Sequence, residues 1–221
     1  MKIAVTGASG HIGVNLCRNL LDRGHSVRVL VHRTRKGLES LPLDFVSGDL
    51  RDAESLAALV KGAEAVFHLA AVISIRGDTA GELFDVNVRG TERLLEASRA
   101  AGVRKFIHFS SIHALEQRPV DRPLDEARPL ALEDRMAYSR SKAWAEKAVI
   151  EAAEQGIDAV ILSPTAVIGP RDYGPSLLGR ALILMARGKL PLIVSGGYDW
   201  VDVRDVAGAA AAALEKGRRG H

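Results

Sequence analysis

The chain opens Met1-Lys2-Ile3-Ala4-Val5-Thr6-Gly7-Ala8-Ser9-Gly10-His11-Ile12-Gly13, and this stretch decides the fold. A short apolar run leads into three glycines spaced G-x-x-G-x-x-G. Gly7 permits a tight turn off a strand, Gly10 lets the backbone approach a pyrophosphate, and Gly13 lets the next helix pack close to the sheet. That helix is marked by Val14, Leu16, Cys17, Leu20 and Leu21 at helical spacing. Its N-terminus presents unpaired N–H donors and the positive end of a dipole to an anion. A glycine triplet alone is an ordinary turn, but between a strand and an amphipathic helix it is a dinucleotide fingerprint. Ser9, His11 and Ile12 lie inside the same cradle.

Outward from this unit, short β-branched runs alternate with longer helical patterns. Strands are expected at 2–6, 26–32, 43–47, 64–69, 104–109 and 157–163, each nearly all apolar, as strands buried on both faces must be. Helices are expected at 11–23, 52–61, 79–101 and 135–155, with further ones at 175–187 and 203–216, the last opened by Asp202 or Asp205. The alternation predicts an α/β fold, a doubly wound parallel sheet with helices on both faces. Pro119, Pro123 and Pro129 mark 111–134 as a long rim loop. Pro164, Gly169, Pro170, Gly174, Pro175 and Pro191 mark the part after 164 as irregular. The expected division is a dinucleotide-binding domain over 1–163 and a C-terminal part, 164–221, packed on it.

Composition narrows the class. Of 221 residues 47% are apolar and 26% charged, which is globular rather than disordered. The longest apolar run, Val206 to Leu214, is too short to span a bilayer, so no membrane association is expected. Thirty basic residues are scattered among 27 acidic ones for a net charge of +3, and only 5% of residues are aromatic, so no nucleic-acid partner is expected. No signal peptide is recognisable, and the single cysteine, Cys17, excludes an internal disulfide. Both suit a reducing, cytoplasmic setting.

The choice of dinucleotide turns on the end of the second strand. An acid there would hold the ribose hydroxyls of NAD. Instead His32-Arg33-Thr34-Arg35 follows, with no carboxylate until Glu39. Basic groups suit the 2′-phosphate of NADP, with Arg33 first, Arg35 and His32 as alternates, and a solvated basic loop as the competing reading. Asp49, in Gly48-Asp49-Leu50, is placed to accept from an adenine amino group or to cap the helix near Ala53, a role for which Asp52 competes.

The candidate chemistry lies in Tyr138-Ser139-Arg140-Ser141-Lys142, which sets Tyr and Lys on one helix face. An isolated phenol titrates near 10. An adjacent ammonium is expected to lower that value, so that Tyr138 exchanges a proton with a carbonyl or hydroxyl oxygen. Lys142 is also placed to hold a nicotinamide ribose. Ser111, at the end of the 104–109 strand, is placed to orient the reacting oxygen, or merely to cap a turn.

At this point the sequence resembles the extended short-chain dehydrogenases/reductases, the NAD-dependent epimerase/dehydratase superfamily, in its dihydroflavonol-reductase-like branch. Besides the segments already quoted, the resemblance rests on His68-Leu69-Ala70-Ala71, Asn87-Val88-Arg89-Gly90-Thr91, Phe109-Ser110-Ser111 and Pro164 to Pro170. The last matching piece is Trp200-Val201-Asp202-Val203-Arg204-Asp205-Val206-Ala207. It implies a Rossmann fold, a nicotinamide cofactor and a catalytic set of Ser111, Tyr138 and Lys142. It implies that Leu50, Leu69, Ala70 and Ala71 border the cofactor, that Pro164 borders the nicotinamide, and that Asn87 supports the site through backbone bonds. It implies a homodimer built on helices 79–101 and 135–155, in which Trp144 packs on a neighbouring helix; the other reading puts Trp144 in the chain's own core. It also implies a C-terminal substrate lobe that is largely missing from these residues. The sugar 4,6-dehydratases of the group carry Asp-Glu after the catalytic Ser, where this chain has Ile112-His113, so dehydration is disfavoured. His113 is then a substrate contact or a plain loop residue. His68 and His108 are expected to be structural, Cys17 to be core packing, and Arg171, Asp172 and Tyr173 to be recognition or plain loop residues.

The expected activity is NADP-dependent reduction of a small ketone or aldehyde, with a small-molecule substrate. The alternatives are an NAD-dependent sugar-nucleotide epimerase and a non-catalytic dinucleotide sensor.

Overall fold

The computed structural model describes residues 1–74, 77–78, 81–189 and 196–220. Six parallel strands form one sheet: β1 (Lys2–Thr6), β2 (Ser26–Val31), β3 (Asp44–Ser47), β4 (Ala65–His68), β5 (Lys105–Phe109) and β6 (Ala159–Leu162). Their order is β3-β2-β1-β4-β5-β6, the doubly wound arrangement whose reversal point lies beside β1. Ile3 pairs with Val27 on one side and Ala65 on the other, which puts the carboxyl ends of β1, β2 and β4 along a single edge.

Alternating side chains of each strand feed two cores. Ile3, Val5, Val29, Phe67 and Ile107 face α1 (His11–Asp22) and α7 (Val203–Lys216). Ala4, Val66 and Phe106 face α2 (Ala53–Val60), α4 (Gly90–Ala100) and α5 (Ala137–Glu154). On α7 the core face is mainly alanine, Ala207, Ala210, Ala211 and Ala213, so this helix can seat itself closely beside α1. Asp202 caps α7 by accepting from the Arg204 N–H, so of the two expected openers Asp202 takes the cap.

Each expected strand is found within one or two residues of its limits. Two regions differ. The helix expected over 79–101 is three pieces: α3 (Glu82–Phe84), a π turn over Asp85–Arg89, and α4. Residues 79 and 80 lie outside the described residues. The part after 164 is more regular than its prolines and glycines suggest. It holds β7 (Ala166–Ile168), α6 (Leu177–Ala186) and β8 (Trp200–Asp202), with β7 and β8 paired as a second, parallel two-stranded sheet. Strands of three residues are too short to show a period. Pro191 lies outside the described residues. Segment 111–134 is a loop, as expected, with a single 3-10 turn at Ile112–Ala114 and one bridge between Leu115 and Leu130.

Candidate active site

The glycine cradle is built as tightly as its spacing implies. Gly7 has φ +70°, and a β-carbon on it would stand 2.6 Å from the Ala70 nitrogen. The turn off β1 is thus wedged against Leu69-Ala70, where the Ala70 N–H also donates to the Thr6 hydroxyl. Gly13 packs against the turn itself rather than the sheet, with a notional β-carbon 2.2 Å from the Gly7 oxygen. Gly10 precedes α1, and no side chain caps that end or places an acid in its first turn. An uncapped N-terminus beside a turn that no side chain can enter fits a pyrophosphate. Ile12, Leu69 and Ala70 are half-buried around it, and Ala71 is exposed.

His11 and Asn15 on α1 both reach the Pro170 carbonyl oxygen, at 3.2 and 3.0 Å, tying the cradle helix to the segment after β6. Arg171 donates to Asn15 at 3.0 Å, Asp172 accepts from the Ser176 N–H and hydroxyl, and the Tyr173 ring lies over Gly37. All three are held in contacts within the chain.

At the end of β2 the basic residues separate. The His32 ring sits 3.2 Å from the Asp49 carboxylate. Arg35 lies over the Phe45 ring, 4.5 Å from its centroid. Arg33 is exposed, and among the described residues no partner holds its guanidinium. Asp49 is gripped by Arg51, which with its backbone N–H holds the carboxyl down to about 2. The cap of α2 falls to Asp52, which accepts from Glu54 and Ser55. The Leu50 side chain is buried in the core against Gly90, leaving only its backbone near the edge.

At the carboxyl end of β5, Ser111 meets Tyr138 from the first turn of α5. Burial pushes the Tyr138 phenol up, and a hydrogen bond with Ser111 pulls it back. The ammonium of Lys142 does not do this. It is buried and donates to the Phe109 carbonyl oxygen at 2.6 Å, while desolvation lowers it to about 8. The expectation that Lys142 lowers the phenol is therefore corrected: the strand's last carbonyl takes the ammonium, and the serine hydroxyl opposes the effect of burial.

The surroundings hold this arrangement in place. Asn87, in the π turn, accepts from the Val72 N–H at 2.7 Å and donates to the Val72 oxygen and the Ser141 hydroxyl, both at 2.9 Å. His68 bonds Thr6 at 2.7 Å and Thr91 at 2.8 Å, and burial holds it down to about 3, so it is neutral and structural. The buried Cys17 thiol is pushed up to about 12, which makes it inert packing. Trp144 is 37% exposed with the Lys147 ammonium over its ring, which rules out the core reading.

Two neighbours were not expected from the sequence. The exposed His113 ring stands edge-on to Tyr138 with centroids 6.3 Å apart, and the His113 backbone N–H donates to the Ser111 hydroxyl. The buried Glu146 accepts a hydrogen bond from Ser110. Its spacing, four residues beyond Lys142, was the available signal.

Comparison with known proteins gives the chain's family. The model of the NAD dependent epimerase/dehydratase family matches residues 3–221. A sterol demethylase protein B of Methylococcus capsulatus is 40% identical over all of this chain and 68% of its own length. A putative dihydroflavonol 4-reductase of Synechocystis is 36% identical over 97% of this chain and 63% of its own. The chain thus spans roughly two thirds of the length of these relatives. Among solved structures, the dTDP-glucose 4,6-dehydratase DesIV of Streptomyces venezuelae, with NAD and TYD bound, superposes with a TM-score of 0.85. It is 29% identical over all of this chain and 74% of its own.

Proposed function

Since the chain belongs to the NAD dependent epimerase/dehydratase family of extended short-chain dehydrogenases/reductases, we propose that it is an NADP-dependent oxidoreductase acting on a small ketone or aldehyde, or on the matching alcohol. The observation that carries this reading is the tight glycine cradle at the sheet edge where the strand end leading to Ser111 takes the Lys142 ammonium and His113 stands edge-on to Tyr138. When bound, the cofactor supplies or accepts the hydride. Ser111 orients the reacting oxygen, and the Tyr138 hydroxyl gives it a proton or takes one. Lys142 holds the ribose. Gly7, Ser9, Gly10, His11, Ile12 and Gly13 cradle the pyrophosphate. Leu50, Leu69, Ala70 and Ala71 border the cofactor, Asp49 accepts from the adenine, and Pro164 borders the nicotinamide. The names of the two relatives, a sterol enzyme and a putative dihydroflavonol reductase, favour a ring compound over a nucleotide sugar.

The preference for NADP is supported by the free guanidinium of Arg33 and by the absence of a carboxylate after β2, with Arg35 in support. The test is calorimetric titration with NADPH and, separately, NADH. A ten-fold preference for NADPH, about 1.4 kcal/mol, that disappears in Arg33→Ala is the expected result. Preference for NADH would overturn the assignment. It would favour the second reading, an NAD-dependent sugar-nucleotide epimerase, whose cofactor is the one the neighbour binds and which predicts a protein isolated with NAD already held.

In the same reading residues 1–163 bind the cofactor and 164–221 begin a substrate-binding part. The protein works as a homodimer through α4 and α5, with exposed Trp144 at the contact, in a reducing, cytoplasmic setting. Among the described residues no helix is long and apolar enough to cross a membrane.

A further inference from the structure

Three consecutive residues at the end of β5 each face α5. The Phe109 carbonyl oxygen accepts from Lys142, the Ser110 hydroxyl donates to Glu146, and the Ser111 hydroxyl acts on the Tyr138 phenol. Tyr138, Lys142 and Glu146 fall at successive turns of one helix, so a single face of α5 is registered against a single strand end. Ser110, Lys142 and Glu146 are all buried, at 5, 4 and 7% exposure. A buried ammonium without a counter-charge is costly, and a buried carboxylate equally so.

The groups facing Lys142 leave one candidate for that counter-charge. From β4 and β5 come His68 and His108, both driven to the neutral form by burial. The β5 backbone supplies the Phe109 carbonyl oxygen, and α5 supplies Tyr138 one turn earlier and Glu146 one turn later. Glu146 is the anion that acts on Lys142, and the groups acting on Glu146 are Ser110 and Lys142.

We propose that Glu146 is a positioning residue of the active site: its buried carboxylate fixes Ser110, the neighbour of Ser111, and supplies the counter-charge that keeps Lys142 protonated beneath Tyr138. The inference rests on the catalytic assignment of Ser111, Tyr138 and Lys142. It extends that set by a residue that touches neither substrate nor cofactor. Burial pushes the Glu146 carboxyl up, while Ser110 and Lys142 pull it down.

Lys142 reports on this directly. In protein carrying lysine labelled with 13C at Cε, its resonance is assigned by its loss in Lys142→Arg and followed against pH. Glu146→Gln keeps an oxygen for the Ser110 hydroxyl but removes the charge. The Lys142 midpoint is expected to fall by about one pH unit or more, and Glu146→Asp is expected to restore it. A midpoint unmoved in Glu146→Gln, with the fold intact by circular dichroism, would overturn the proposal. If Glu146→Gln does not fold, the unaltered protein carries the test. Its Lys142 resonance should show a second, smaller inflection at the lower pH where Glu146 takes a proton, and a single inflection would overturn it. The titration uses neither cofactor nor substrate, so its failure is separable from failure of the NADPH reading.

Discussion

Gly13 lies so close to the Gly7 carbonyl oxygen that a single added methyl would stand 2.2 Å from it. Backbone lines both sides of that contact, so no rotamer change can relieve it. Gly13→Ala must push α1 off the turn. The expected cost is about 1–3 kcal/mol of stability, read by urea unfolding, together with loss of dinucleotide binding by calorimetry. Unchanged stability and affinity would show that the turn yields.

Tyr138 carries the only proton-transfer group that the proposed chemistry uses at the reacting oxygen. Tyr138→Phe keeps the ring beside His113 and removes the phenol hydroxyl. Turnover of a carbonyl substrate should fall by about 10²- to 10⁴-fold, with NADPH affinity unchanged. An undiminished rate would transfer the proton role elsewhere.

Asn87 joins three elements through three hydrogen bonds from a side chain that is 2% exposed. Asn87→Ala strands the Val72 N–H and oxygen and leaves Ser141 one donor short. The expected destabilisation is about 1–3 kcal/mol, accompanied by faster hydrogen exchange at the Val72 amide. Loss of stability without faster exchange there would place the damage elsewhere.

The histidines between the sheet and α5 make stability depend on pH. His68 titrates near 6.5 in an unfolded chain and is held down to about 3 in the folded one. Between these values the unfolded chain binds the extra proton, so stability is complete above 6.5 and declines as the pH falls toward 3. His108 is lowered in the same direction by the same cause. Urea unfolding between pH 7 and 5 should show the decline, at up to about 1.4 kcal/mol per pH unit for each histidine, and His68→Gln should make it shallower. A flat profile would mean that the folded state admits the proton.

The sheet was legible because its strands are apolar throughout and its helices are long enough to show a period. The cradle was legible because only glycine fits where Gly7 and Gly13 sit. β7 and β8 were not, since three residues carry no period and their partners lie about 34 residues apart. The π turn was hidden because its residues also suit an α-helix. The sequence placed Tyr138 and Lys142 on one face but could not show that the Phe109 carbonyl takes the ammonium. That contact joins residues 33 positions apart, as Ser110–Glu146 joins residues 36 apart. Spacing within a helix does not reveal what the opposing strand end offers.

The pairing of α1 with α7 also constrains how the chain matures. The apolar side of α1, with Val14, Leu16, Cys17 and Leu20, shares its core with Ala207, Ala210 and Ala211. A nascent chain makes the first helix early and its cover nearly two hundred residues later. Throughout that interval one flank of the young sheet faces water, a surface that invites association between unfinished copies. Completion of this layer awaits α7 clearing the ribosome, so this face of the sheet closes long after its first helix is made.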